Sequence, residues 1–124
     1  MSHHKILIIE DEPLVLKSYQ DYFSRKKYNV AVAHDGAEGL QVVASFKPDL
    51  ILLDILMPVM DGRVMLAKLR ASPATAQLPV IILTNLDTPE SVSSAIQDGV
   101  NFYLIKSNYS LEELEKKVVQ ILAH

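Results

Sequence analysis

A run of four apolar residues, Leu50–Leu53, constrains the fold more than any other part of this sequence. The run follows a break at Lys47-Pro48-Asp49 and is closed by Asp54. A continuous apolar run of this length is typical of a central parallel strand, because such a strand is covered on both of its faces. The sequence therefore predicts a parallel sheet with helices packed on either side.

Further strands and helices alternate along the whole chain. Five short strands are predicted, at Lys5–Ile9, Asn29–Ala33, Leu50–Leu53, Pro79–Leu83 and Asn101–Ile105. Helices are predicted from Pro13 to about Lys26, from Asp35 to the break at Lys47, from Val64 through Arg70, from Thr88 to Gly99, and after Ser110. Alternation with short loops indicates right-handed crossovers, and therefore an α/β fold built on one parallel sheet.

The helices carry start signals and one apolar face each. Asp35 with Glu38, and Ser110 with Glu113, have the spacing of a capping box, and Gly99 suits a left-handed helix end. The predicted inward positions are Leu14, Leu16, Tyr19, Tyr22 and Phe23 in the first helix, Ala37, Leu40, Val43 and Ala44 in the second, Val64, Leu66, Ala67 and Leu69 in the third, and Leu114, Val118, Ile121 and Leu122 in the last.

The composition fits one domain and excludes several classes of function. The 124 residues, 49% hydrophobic and 22% charged, are expected to form a single domain over residues 1–124, with no output domain. No apolar stretch approaches the ~20 residues that cross a bilayer, and no signal peptide is expected. The absence of Cys excludes disulfides and fits a reducing cytoplasm, and the net charge of −3 offers no basic surface for nucleic acid. The adjacent, terminal His3 and His4 suit solvated side chains better than a metal site.

Polar side chains follow four of the five predicted strands. Glu10 and Asp11 come after the first strand, Asp54 after the third, Thr84 after the fourth, and Lys106 after the fifth. The second strand ends at His34-Asp35, which the helix start explains. Ligands of doubly wound folds bind beyond the carboxyl ends of the strands, so we expect the other side chains to converge at one rim.

The convergence of three carboxylates, a hydroxyl and an ammonium indicates phosphoryl chemistry. Like charges 4 Å apart cost about 4 kcal/mol per pair at an effective dielectric of 20, so a fold keeps such a cluster only if protonation or a cation relieves it. Ligands that are all oxygen suit Mg²⁺, or alternatively Mn²⁺, rather than zinc. A hard divalent ion, an ammonium and a hydroxyl are what a transferring phosphoryl group needs, and an Asp carboxylate is a competent nucleophile.

Each of these residues also has an ordinary structural explanation. Glu10 and Asp11 could favour the first helix through its dipole, and Asp54 could simply start a loop. Thr84 is a common strand residue, and a strand-end lysine such as Lys106 is usually solvated. The functional interpretation is preferred because all five residues follow strand ends that meet at one rim of the predicted sheet.

These residues resemble the receiver domain of two-component response regulators, over essentially the whole chain. The strongest likeness is the segment from Leu50 to Gly62, with Pro58 four residues and Gly62 eight residues after Asp54. The acidic pair Glu10-Asp11, the Leu83-Thr84-Asn85 segment and the segment from Gly99 to Lys106 match the remaining motifs. The resemblance implies a flavodoxin-like doubly wound (βα)5 fold with strand order 2-1-3-4-5.

The resemblance also implies a role for each matched residue. Asp54 would accept a phosphoryl group from a sensor histidine kinase or a phosphotransfer protein. Mg²⁺ would be held by Glu10, Asp11, the Asp54 carboxylate and the backbone carbonyl of Leu56.

Three further roles concern the phosphoryl group and the response to it. Lys106 would pair with a phosphoryl oxygen and Thr84 would donate its hydroxyl. Tyr103 would turn inward, which would change the surface formed by the fourth helix, fifth strand and fifth helix and so its contacts with a downstream protein or a second copy. Tyr103 could instead be an aromatic residue packed at the sheet edge. The domain would not be an enzyme beyond its own phosphorylation and slow dephosphorylation.

Two departures from the family pattern change the expectations. Ser107 stands after Lys106 where the family usually has a cis proline, and a cis bond without proline costs about 3 kcal/mol, so a trans Lys106–Ser107 bond is predicted. Leu56 and Leu86, two residues beyond Asp54 and Thr84, offer no hydrogen bond to the water that hydrolyses the aspartyl phosphate. Slow self-dephosphorylation is therefore expected.

Three alternatives stay open from the sequence. A receiver-like interaction domain that is not phosphorylated would need no intact site. A Mg²⁺-dependent phosphatase of the haloacid dehalogenase type would place its nucleophile after the first strand, with a second Asp two residues later. Here Asp11 is followed by Glu12 and Pro13, so that second Asp is missing. A flavin or dinucleotide module would need a phosphate-binding loop after the first strand, and none of the four glycines lies there.

Overall fold

The computed structural model describes residues 4–55, 60–85, 90, 92–93, 97 and 99–123. The strands are β1 (Lys5–Ile9), β2 (Asn29–Ala33), β3 (Leu50–Leu53), β4 (Val80–Thr84) and β5 (Phe102–Ile105). The helices are α1 (Pro13–Arg25), α2 (Gly36–Phe46), α3 (Gly62–Ala71) and the last helix (Leu111–Leu122), which follows a short 3₁₀ turn at Lys106–Asn108. The first three strands have the predicted bounds, while β4 begins and ends one residue later and β5 begins one residue later.

All five strands are parallel and form one sheet in the order β2-β1-β3-β4-β5. This is the flavodoxin-like order, and it confirms the predicted fold class. β3 lies between β1 and β4, and all four of its residues are buried, as its unbroken apolar run predicts. Because the strands run in one direction, their carboxyl ends, after Ile9, Leu53, Thr84 and Ile105, meet at one edge.

Two hydrophobic cores cover the two faces of the sheet. Alternate strand residues point to opposite faces, so Leu7 and Ile9 of β1 join one core while Ile6 and Ile8 join the other. Helices α2 and α3 complete the first core, and α1 and the last helix complete the second. The sheet is therefore fixed from both sides, which holds the strand ends in place.

Side chains that cap the helices fix where the connections turn. The Ser110–Glu113 pair forms a complete capping box, as predicted. Asp35 caps α2 by accepting from the Glu38 amide, but the Glu38 carboxylate accepts from the amide of His34, one residue before the cap, so the second half of the predicted box is wrong. Gly99 has a φ of 75°, which confirms the left-handed position.

Some predicted inward positions are wrong. Leu14 is 84% exposed, and Ala44, Val64 and Ala67 are also exposed. Met65 is fully buried in α3 instead, on one face with Leu66 and Leu69, and α3 begins at Gly62, two residues before the predicted start.

The fourth predicted helix, from Thr88 to Gly99, lies mostly outside the described residues, and those that are described at 90, 92, 93 and 97 are helical. No helix in the described part of the chain is long and apolar enough to cross a membrane.

Candidate functional site

Three polar residues are buried at the carboxyl edge of the sheet. Glu10 is 1% exposed, Asp54 is 6% exposed and Thr84 is 0% exposed. Each follows or ends a different strand, and an ionised carboxylate in such a place needs a partner. The structure thus brings the predicted residues to one rim.

Lys106 provides the partner for both buried carboxylates. Its Nζ lies 2.5 Å from Oε2 of Glu10 and 3.1 Å from Oδ2 of Asp54. The second oxygen of Glu10 accepts a hydrogen bond of 3.2 Å from the amide of Glu12. The Asp54 amide donates to the carbonyl of Ile9 at 3.0 Å, which ties the start of the loop after β3 to the end of β1. The ordinary explanation of Lys106 as a solvated strand-end charge is therefore wrong.

The carboxylates form a cluster with the chemistry of a hard-cation site. Oxygens of Glu10, Asp11 and Asp54 all lie within 4.8 Å of one another. Lys106 supplies one positive charge against three carboxylates, so the ionised cluster keeps two negative charges that a divalent cation would neutralise. These residues therefore fit Mg²⁺. Leu56, the predicted source of a carbonyl ligand, lies outside the described residues.

Burial and the neighbouring charges shift two pKa values at the site. Burial raises the pKa of Glu10 from 4.5 to about 7, and the negative charge of Asp54 adds to the rise while Lys106 opposes it. Burial alone would lower the pKa of Lys106, but its hydrogen bond to Glu10 and the charge of Asp54 raise it overall. The ammonium therefore stays charged, and Glu10 takes up a proton near neutral pH in the absence of a metal ion.

Gly62 allows the backbone after β3 to close against the start of α3. A Cβ at this position would lie 2.7 Å from the carbonyl oxygen of Asp54 and 2.7 Å from Cα of Ile55. Both neighbours are backbone atoms, which cannot rotate away, so only glycine lets α3 begin this close to Asp54.

Tyr103 lies beside β4 on the face covered by α2 and α3. It is paired with Ile82 in the sheet and packs against the core of that face. Thr84 lies two residues beyond Ile82, on the same face of β4. The predicted switch residue therefore neighbours the predicted hydroxyl donor. The Lys106–Ser107 bond is trans, as predicted, since the described residues contain no cis peptide bond.

Tyr19 also borders the site, although its sequence pattern indicates only an apolar helix face. It lines a small space together with Glu10, Asp54 and Leu83. Burial raises the pKa of Tyr19, the charge of Lys106 opposes this, and the two carboxylates add to it. The available signal was its position in α1 three residues after buried Leu16, on the same face.

The sequence profile of one family, described as "Response regulator receiver domain", matches residues 6–119. This is most of the chain. The chain belongs to the response regulator receiver family. Within this family it has a phosphoacceptor role in two-component signalling.

Relatives of known sequence agree with this membership. The chain is 34% identical over 118 residues to Response regulator MprA of Mycobacterium ulcerans and, to the same extent, to MprA of Mycobacterium tuberculosis. In both cases the match covers 95% of this chain and 50% of the relative. The chain thus spans about half the length of these curated relatives.

Solved structures are similar over nearly the whole receiver domain. A two-component response regulator from Clostridium difficile superposes with a TM-score of 0.89 at 30% identity, covering 98% of this chain and 97% of that one. A CheY-like receiver domain protein from Methanospirillum hungatei gives a TM-score of 0.92 at 25% identity, covering 98% and 95%. The chain therefore belongs neither to the flavin or dinucleotide modules nor to the phosphatases of the haloacid dehalogenase type.

Proposed function

We propose that Asp54 is the residue that takes the phosphoryl group, and that the donor is a phosphohistidine on a sensor kinase or phosphotransfer protein. The observation that carries this proposal is the Asp54 carboxylate itself, buried at the strand ends with the Lys106 ammonium 3.1 Å away. A carboxylate oxygen attacks phosphorus, the bond from phosphorus to the imidazole nitrogen breaks, and its electron pair returns to the donor ring. The chain catalyses this step only on itself, and later releases phosphate slowly.

The surrounding residues hold the reacting groups. Glu10, Asp11 and Asp54 would hold Mg²⁺, or Mn²⁺ in its place, with the Leu56 carbonyl as a further ligand. The bound ion would supply positive charge to the phosphoryl oxygens.

Lys106 contributes a charge that is already in position. Its ammonium bridges Glu10 and Asp54, so it needs only a small shift to pair with a phosphoryl oxygen on Asp54. Thr84 is fully buried at the end of the neighbouring strand and donates its hydroxyl to another oxygen.

Tyr103 transmits the change to the outer surface. Movement of Thr84 toward the phosphoryl group vacates space on the face where Tyr103 packs, and the ring moves inward. The changed surface includes β5 and the last helix, where a downstream protein or a second copy of the chain would bind. We place the domain in the cytoplasm with its kinase, and assign residues 1–124 to a single receiver domain.

A phosphorylation assay tests the assignment of Asp54. The wild type and Asp54→Asn are incubated with acetyl phosphate and Mg²⁺, and intact mass is measured; the wild type gains one phosphoryl group and Asp54→Asn gains none. Asp21→Asn, at an exposed carboxylate on α1, is the matched control and is phosphorylated like the wild type.

Two outcomes would contradict the proposal. Phosphorylation of Asp54→Asn at the wild-type rate would place the acceptor elsewhere. A folded wild type that gains no phosphoryl group, either from acetyl phosphate or from a panel of sensor kinases, would favour the alternative of an interaction domain that is not phosphorylated.

A further inference from the structure

An apolar groove lies between the carboxyl halves of α2 and α3. Its volume is about 440 Å³. Leu40, Val43, Leu69 and Leu78 form its floor, and it contains no aromatic side chain. Lys47 and Lys68 are among the residues that line it, one from each helix region.

The groove is at the opposite edge of the sheet from Asp54. Pro48 and Leu78 line it, and these residues precede β3 and β4, whereas Asp54 follows β3. A strand rises about 3.3 Å per residue, so the length of β3 separates the groove from the rim. The groove shares no residue with the site of phosphorylation, and a ligand could occupy it in either state of Asp54.

The two lysines give the groove a charge opposite to that of the chain. Both are exposed, and neither forms an ion pair with a residue that the structure describes. The chain as a whole has a net charge of −3. The helix dipole stabilises a cation near the carboxyl end of a helix. This explains why each helix carries a lysine there, but it does not explain the apolar floor between the two lysines.

The backbone conformation of Lys47 decides where α2 ends at the groove. This residue ends α2 with a φ of 53°, in the left-handed region where glycine is the usual choice. Lys27 and Gly99 also have a positive φ, of 74° and 75°. The reversal of the chain at Lys47 ends α2 beside Pro48, and both residues line the groove.

We propose that this groove binds a small amphiphile that consists of one carboxylate and an unbranched aliphatic chain. The carboxylate lies between Lys47 and Lys68, and the chain covers the floor. The volume falls within the range of about 300–1,000 Å³ that is typical of small-ligand sites. An aliphatic floor without aromatic rings suits an alkyl chain and gives no platform on which a nucleotide base could stack.

The first experiment is a titration of the ¹⁵N-labelled chain with sodium decanoate below its micelle concentration, followed by NMR. Saturable shifts are expected for amides around Leu40, Leu69 and Leu78, without a response at Asp54. Octanoate binds more weakly, because each methylene that is buried contributes up to about fourfold in affinity. Decylamine has the same chain and the opposite charge, and it does not saturate the groove.

Two variants test the charge and the cavity separately. The double variant Lys47→Gln/Lys68→Gln weakens decanoate binding roughly tenfold, as expected for two partly exposed ion pairs. Lys17→Gln/Lys116→Gln removes two charges outside the groove and binds like the wild type. Ala44→Trp fills the groove from an exposed helix position that tolerates a large side chain, and it abolishes binding.

The proposal is overturned if decylamine binds as tightly as decanoate, if the shifts centre outside the groove, or if Ala44→Trp folds and binds decanoate unchanged. Phosphoryl uptake from acetyl phosphate by Lys47→Gln/Lys68→Gln is measured in parallel and equals that of the wild type. This separates the groove from the site at Asp54, since either proposal can fail while the other stands.

Discussion

Protonation of Glu10 should control how the stability of the metal-free domain depends on pH. Glu10 is 1% exposed, and burial raises its pKa from 4.5 to about 7. Between pH 4.5 and about pH 7 the folded state therefore binds more protons than the unfolded chain does. Stability rises with pH only where the unfolded state binds more protons, so here the free energy of unfolding falls as pH increases.

The size of the effect follows from the same two values. A pKa shift of one unit corresponds to about 1.4 kcal/mol, and the rise of Glu10 from 4.5 to about 7 gives about 3 kcal/mol in total. Most of it, about 2.5 kcal/mol, is lost between about pH 5 and pH 8. The assay is urea unfolding followed by circular dichroism, in EDTA, at these two pH values.

The variant Glu10→Gln isolates the contribution of this carboxyl from that of every other titrating group. The difference in free energy of unfolding between the wild type and Glu10→Gln should change by about 2.5 kcal/mol between these two pH values. Saturating Mg²⁺ should remove this change, because the bound cation favours the ionised carboxylate. Equal pH slopes for the two proteins in EDTA would refute the reasoning.

Three other variants test the site. Lys106→Met leaves two buried carboxylates without a cation and should lower the free energy of unfolding by about 3–5 kcal/mol in EDTA, with part recovered in Mg²⁺; a loss below about 1 kcal/mol would show that the ion pairs are not formed. Gly62→Ala should destabilise by about 1–3 kcal/mol and slow phosphoryl uptake, since its Cβ meets the backbone of Asp54; calorimetry and the mass assay check this, and unchanged values contradict it. Leu56→Asn/Leu86→Glu should shorten the phosphoryl lifetime, measured by the decay of intact mass, and an equal lifetime counts against the idea that the two leucines exclude water.

The helix faces show which buried residues the apolar periodicity of the sequence predicts and which it misses. Leu14 and Val64 are both exposed, because each lies on the opposite side of its helix from the buried residues. Ala44 is exposed beside the groove between α2 and α3 rather than packed on β-strands. The pattern identifies an apolar side, but the sheet decides how much of it is covered.

The capping residues show a similar division. Ser110 and Glu113 close a box as their spacing predicts, because both partners lie within one helical turn. Glu38 has the same spacing from Asp35, but its carboxylate accepts from the amide of His34 instead. His34 follows β2 directly, so the direction of its amide depends on how the chain turns from β2 into α2. That turn is a property of the packed fold.

The strand–helix alternation, the buried central strand and the residues at the strand ends can all be predicted from the sequence. These follow from local composition and short spacings, which do not depend on what packs against them. The folded chain shows three further features: one ammonium pairs with both Glu10 and Asp54, Tyr19 borders the same cluster, and α2 and α3 leave a groove at the opposite edge. The reason is that each of these depends on distances between residues far apart in the chain, which are fixed when the two cores close on the sheet.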